Sequence, residues 1–156
     1  MVPSNNTGNN NQSLLKPFQL TVKTEIIALE KVLIWFETIA KPYLPPKILW
    51  ECKLALSEGF TNTVLYAHEN LPVTAPIIIN VNFYQTWVDI LIWNQGPFFD
   101  LKAKLTELTQ QNVDPLELES ERGLFFMDKL TDQLDYIRVD YERNCLKMKK
   151  FLLSNI

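Results

Sequence analysis

Apolar positions along the chain change period several times, and each period predicts an element. Phe18, Leu20 and Val22 alternate with polar neighbours, as in a strand with one buried face. Pro17 just before them suits a sheet edge, where its missing N–H leaves no ladder bond unmade. Thr24 then reads as a helix N-cap with Glu25 in the first turn, and Ile26, Leu29, Leu33, Phe36 and Ala40 keep a helical stripe through Lys41. Pro42, Pro45 and Pro46 end that helix and open a second, with Pro46 near its first position. The second helix is predicted from about residue 47 to about residue 69, on a stripe that includes Leu49, Cys52, Leu56, Phe60, Ala67 and Leu71.

Beyond Pro72 and Pro76 the period falls to two. Ile77, Ile79, Val81 and Phe83 share a strand face. Val88, Ile90, Ile92 and Asn94 share a face of the next strand, with Trp87, Asp89, Leu91 and Trp93 on the other. Only Gln85 and Thr86 separate the two, so an antiparallel hairpin is the economical connection, although Gln-Thr is a poor primed turn. Residues 97–120 form a long polar stretch with a weak helical patch around 102–110, a length that marks a lid or an insert in a small domain. A helix follows from Ser120 or Glu121 and ends by Leu134, with Gly123 in its first turn and Leu124, Met127, Leu130 and Leu134 facing the sheet. Strands at 136–140 and 143–151 close the chain. The order β, α, α, β, β, lid, α, β, β predicts an α+β two-layer sandwich, a mostly antiparallel sheet of about five strands covered on one face by three helices.

Composition narrows the function. Residues 1–15 are Asn-rich and nearly free of large apolar groups, which predicts a disordered tail ahead of a single domain over 16–156. A net charge of -3 without a basic run argues against nucleic acid and anionic membrane as partners. No stretch approaches the roughly 18 apolar residues of a membrane span, and the N-terminus has neither a charged nor an apolar leader region, so a cytoplasmic protein is expected. Cys52 and Cys145 lack metal-ligand spacing and read as buried free thiols. His68, with no partner set for catalysis or metal binding, reads as a helix-end surface residue. Ile27, Ile34 and Trp35, off the first helix's main stripe, and Trp87, Leu91 and Trp93, on the sheet face opposite Asn94, widen the core or meet a partner.

Three segments carry candidate chemistry. Glu58 and Asn62 are four residues apart, hence on one helix face. An Asn oxygen can ligate Mg²⁺ and a carboxylate can accept a hydroxyl proton, though spacing alone favours a solvated helix face. Asn94 ends an apolar strand two residues before Gly96, a turn that lets a ligand approach the backbone and that also suits any strand end. Arg122 and Gly123 at a helix start offer free N–H groups and positive charge to phosphate, or simply open a capped amphipathic helix.

Together, the order and separation of these segments resemble the N, G1 and G2 boxes of the GHKL (Bergerat-fold, histidine-kinase-like) ATPases, and more narrowly the anti-sigma-factor serine/threonine kinases. The Glu–three residues–Asn helix is Glu58 and Asn62; the strand ending in an acid, any residue and Gly is Asn94-Gln95-Gly96; the lid-closing Arg-Gly-Leu-hydrophobic-hydrophobic-Met run is residues 122–127. The closing strand from Asn144-Cys145-Leu146 is also similar, and the likeness spans residues 16–153. It implies ATP and Mg as cofactors, Glu58 as general base toward a Ser or Thr hydroxyl, and Asn62 as the Mg ligand. It further implies Asn94, Gly96, Arg122, Gly123 and Leu124 as nucleotide-binding positions. The implied partners are a STAS-domain antagonist as phosphoryl acceptor, a sigma factor or similar regulator held by sequestration, and a second copy in a homodimer. Two departures bear on chemistry. Asn94 stands where the family has an acid that accepts from adenine, and it either accepts through its carbonyl oxygen or turns its amide to present a donor. Glu121, with Phe98 in place of a second glycine, sets a carboxylate near the phosphates. A module that kept the fold and lost the chemistry is the alternative these departures leave open.

Overall fold

The computed structural model describes residues 13–110 and 119–152. The elements are β1 (Leu14–Lys23), α1 (Ala28–Ala40), α2 (Pro46–Asn62) running on into a π-helical turn (Thr63–Ala67), β2 (Pro76–Tyr84), β3 (Trp87–Asn94), α3 (Leu101–Gln110), α4 (Glu119–Leu130), β4 (Gln133–Arg138) and β5 (Asn144–Phe151). The strands form one sheet in the order β1-β2-β3-β5-β4, every pair antiparallel. The α+β two-layer reading stands, with the patch at 101–110 formed as a fourth helix.

Register explains which face is buried. Antiparallel partners lie on one face of a sheet, so Phe18, Val81, Ile90, Met148 and Leu134 make one inward row. Leu20, Ile79, Ile92, Leu146 and Tyr136 make the next. These rows meet Val32, Phe36 and Ala40 of α1 and Cys52, Ala55, Leu56 and Phe60 of α2 in a continuous apolar core. Each fully buried Leu, Ile or Phe in it contributes roughly 1.5–3 kcal/mol. The inward face turns polar at both ends. At one end Lys150, opposite Val88, meets Glu51 of α2 at 2.6 Å, a pair that is largely buried. At the other end the row is Asn94, Asn144 and Arg138.

Several local expectations are corrected. Thr24 is not a helix cap: it is buried, its hydroxyl donates to the Ala75 carbonyl, and α1 begins at Ala28 with no side-chain cap. A hydroxyl so employed cannot also serve N–H groups four residues on. The first strand starts at Leu14, not Phe18, because pairing with Tyr84 carries it past Pro17, which sits on the edge strand as expected. Leu134 belongs to β4, since Thr131 already returns its hydroxyl to the Met127 carbonyl at the end of α4. The Gln85-Thr86 connection holds although its residues are unfavourable, because Tyr84 and Trp87 stack across it at 4.4 Å and Leu152 donates to the Thr86 carbonyl. Most of the tail (residues 1–12) and residues 111–118 of the expected lid lie outside the described residues.

α2 seats on the sheet through Gly59. A methyl group there would sit 2.8 Å from Ile92 Cδ1, 3.1 Å from Leu146 Cδ2 and 3.4 Å from Met127 Sδ, so helix, sheet and α4 meet with no space to spare. Gly59→Val is expected to lower unfolding free energy by about 1–3 kcal/mol through overpacking. An unchanged urea midpoint would contradict this seating.

Candidate functional site

The polar end of the inward face is a closed hydrogen-bond cluster. Asn94 Oδ1 accepts from the Gly96 N–H (3.1 Å), the Tyr136 hydroxyl (3.1 Å) and Asn144 Nδ2 (3.0 Å). Asn144 Nδ2 also donates to the Gly96 carbonyl (2.7 Å), and its oxygen accepts from Arg138 Nη1 (3.2 Å). Burial pushes the Tyr136 hydroxyl above its ordinary pKa, so it remains a donor. The chain turns sharply after Asn94 because Gly96 is pressed against the carbonyl of Ala67, where any Cβ would overlap it.

His68 joins the same turn from the opposite side, and the surface position expected for it is overturned: it is 1% exposed. Its Nε2 accepts from the Gln95 N–H (2.9 Å), which leaves the proton on Nδ1 to donate to Thr24 Oγ1 (2.8 Å). The imidazole thereby ties the exit of α2 to β1 and to the Asn94–Gly96 turn. The available signal was that residue 68 lies one helical turn past Val64 and three residues before Leu71, which belongs to the predicted core stripe.

A cavity of about 380 Å³ opens between these elements. Gly59, Asn62, Thr63, Tyr66 and Ala67 line it from α2 and its π turn; Asn94, Tyr136 and Leu146 from the sheet; Phe99, Leu101 and Lys104 from the segment after Gly96; Leu124 and Met127 from α4. The π turn, where Thr63 Oγ1 donates to the Gly59 carbonyl, widens the helix at the cavity wall, as such insertions do at many functional sites. The lining is mostly apolar with a few polar groups, the make-up of a small-molecule site.

The expected site residues are distributed as follows. Asn62 and Asn94 line one cavity, with Leu124 buried in its wall. Glu58 stands beside Asn62, and both press on Gly123: a methyl group at Gly123 would lie 2.9 Å from Glu58 Oε2 and 3.0 Å from Asn62 Nδ2. Gly96 is buried behind Asn94, and Arg122 is exposed. Gly123 is not in the first turn of its helix, because α4 begins at Glu119. The side chain of Glu121 lies outside the described residues. Tyr136, Phe99 and Lys104 carry no site signal in the sequence, and Asn144 is marked there only as the start of the family-like closing strand; the alternation that pairs Tyr136 with Leu134 is the available sign for the first. Cys52 and Cys145 are free and buried, as expected, their thiols pushed up to about 12 and about 11 by burial.

A two-layer domain with this cavity between helix and sheet has the Bergerat architecture, and its sequence agrees. Residues 22–150 match the model of the histidine kinase-like ATPase domain. The chain belongs to that family. It is 29% identical over 106 residues to the serine-protein kinase RsbW of Bacillus licheniformis, a match taking in 65% of this chain and 64% of that relative. Its fold is similar to the crystal structure of the RsbU and RsbW domains of Rv1364c from Mycobacterium tuberculosis, at a TM-score of 0.61 and 13% identity, over 87% of this chain and 32% of the other. The chain thus spans under two thirds of the first relative and about a third of the second. Among the described residues no helix is long and apolar enough to cross a membrane.

His68 gives the site a pH signature. Burial lowers its pKa below the ordinary 6.5, so the unfolded chain takes up the proton first. The stability that neutral His68 contributes is therefore complete above about pH 6.5 and is lost as pH falls from there through the folded-state value. Urea unfolding at pH 7.5 and 5.5 is expected to show this loss in the wild type and its absence in His68→Asn. Equal pH dependence of the two would remove His68 as the cause.

Proposed function

We propose that the chain is an anti-sigma-type serine/threonine kinase. It binds a Mg²⁺-chelated purine nucleoside triphosphate, ATP in the family's usual case, and transfers the terminal phosphoryl group to a Ser or Thr of a STAS-domain antagonist. It holds a sigma factor or a similar regulator when that antagonist is absent. The observation that carries this reading is the meeting of Glu58 and Asn62 with Gly123 beside the cavity whose sheet side is Asn94. The likeness to the serine-protein kinase RsbW supports the choice of reaction and of protein partners.

The residues fit these roles chemically. No cluster of three or more His, Cys, Asp or Glu capable of holding a metal occurs among the described residues. Mg²⁺ needs none, since it is commonly held by one or two protein oxygens together with substrate phosphates. Asn62 supplies such an oxygen, and the ion would neutralise phosphate charge. Glu58 would orient the acceptor hydroxyl and take its proton; Leu124, Met127 and Phe99 would exclude water from the base. The exposed apolar residues Ile26, Ile27 and Ile34 around α1 supply a surface suited to a protein partner. A second reading, a regulator with the fold but no chemistry, draws on Asn94 in place of an acid and on the inward position of Gly123 in α4.

Three measurements separate the readings. Glu58→Gln is expected to lower phosphotransfer to a STAS-domain antagonist by about 10²–10⁴-fold while leaving nucleotide affinity largely intact. Equal phosphorylation by that variant would remove Glu58 from the reaction. Asn62→Ala is expected to abolish the Mg²⁺ dependence of nucleotide binding in a titration with and without the ion; full retention would remove Asn62 as ligand. Absence of Mg²⁺-dependent heat with every purine triphosphate would favour the chemically inert regulator.

A further inference from the structure

One polar side chain in the cavity wall is nearly buried and only half used. Asn94 is 3% exposed and lines the cavity, yet its oxygen already receives three donors, more than its two lone pairs require. The two ends of this carboxamide are not interchangeable. The Gly96 N–H can only donate. Asn144 is fixed as well, because its Nδ2 faces the Gly96 carbonyl and its oxygen faces the Arg138 guanidinium. Turning Asn94 over would set its NH₂ against both of these donors. What remains is Asn94 Nδ2, which donates to no described group and, unlike the sealed unpaired atoms of the domain, opens on the cavity. The polar feature offered there is a donor, framed by the apolar side chains of Leu146, Met127 and Phe99 and by the Tyr136 ring.

We propose that this donor selects the base: the cavity prefers a 6-oxopurine nucleotide, whose ring carbonyl accepts from Asn94 Nδ2, over a 6-aminopurine one. The exocyclic amino group of the latter would meet a donor and an oxygen already saturated. The proposal rests on the nucleotide-binding reading above and names the base that reading leaves open. Tyr136 and Asn144 act through Asn94 as positioning residues, holding its oxygen away from the ligand. A buried polar group left facing its like discriminates strongly between otherwise similar ligands.

The test is calorimetric titration of the Mg²⁺ complexes of inosine triphosphate and ATP, which differ only at the 6-position and the adjoining ring proton. Wild type is expected to bind inosine triphosphate about tenfold more tightly. In Asn94→Asp one carboxylate oxygen keeps the three internal donors and the other turns an acceptor toward the cavity, so the preference is expected to reverse to ATP. ATP binding as tight as or tighter than inosine triphosphate in the wild type would overturn the proposal and leave nucleotide binding intact. An unchanged inosine preference in Asn94→Asp would also overturn it, by moving selection to other groups. Failure of the wild type to bind either triphosphate would overturn the nucleotide reading itself. Should Asn94→Asp not fold, the wild-type comparison alone decides.

Discussion

The approach of Gly96 to the carbonyl of Ala67 is the constraint on which this end of the molecule depends. Two backbones meet where no side chain can stand between them, so the exit of α2 and the exit of β3 are held in one place. From that contact the rest follows. The Gly96 N–H and carbonyl point into the sheet, where Asn94 and Asn144 use both. His68, one residue past Ala67, reaches the Gln95 N–H from the other flank. With the turn fixed from both sides, the cavity has a rigid sheet side and a helix wall whose π turn carries Thr63 and Tyr66 into the lining.

Polar groups at the two ends of the inward face have different parts in the structure. Glu51 and Lys150 form a buried pair that ties the start of α2 to β5. Pairs of this kind contribute little net stability against the cost of desolvation, but losing one partner is expensive, so the pair fixes where α2 lies. The Asn94–Asn144–Tyr136–Arg138 cluster is uncharged at its centre, and apart from Asn94 Nδ2, on the cavity side, its hydrogen bonds close within it. In a low-dielectric setting a satisfied network is rigid, and a half-satisfied one is costly. Between the two ends, apolar rows from all five strands meet α1 and α2 without interruption. Helix position along the sheet is thus set at both ends and packed in the middle, which is what holds Asn62 opposite Asn94.

Much of this was legible in the residues. Period-two runs at 77–83 and 88–94 defined the hairpin and its inward face, and placed Asn94 in phase with Ile90 and Ile92, because strand periodicity is local. Proline marked the start of α2 for the same reason. Features decided by distant contacts were not legible. Thr24 has the character of a cap, but Ala75 and His68 claim its hydroxyl across more than forty residues of chain. His68 gives no local sign that Gln95 will offer it an N–H. That α4 is already helical at Glu119, a full turn before Gly123, had no local sign, because the polar residues just ahead of Gly123 carry no apolar period. The spacing of Glu58 and Asn62 was visible; that Gly123 would leave room for both was not.

The central claim is that a nucleotide occupies the cavity between the π turn of α2 and the Asn94–Asn144 end of the sheet. An NMR titration of the isotopically labelled protein with a Mg²⁺-purine triphosphate tests it most directly, through backbone and carboxamide N–H signals. The account predicts that the shifted signals concentrate at Asn62, Tyr66, Asn94, Gly96 and Leu124, with the Asn94 side-chain amide among the most displaced. Shifts confined to other surfaces, with the Asn94 amide unmoved at saturation, would contradict it.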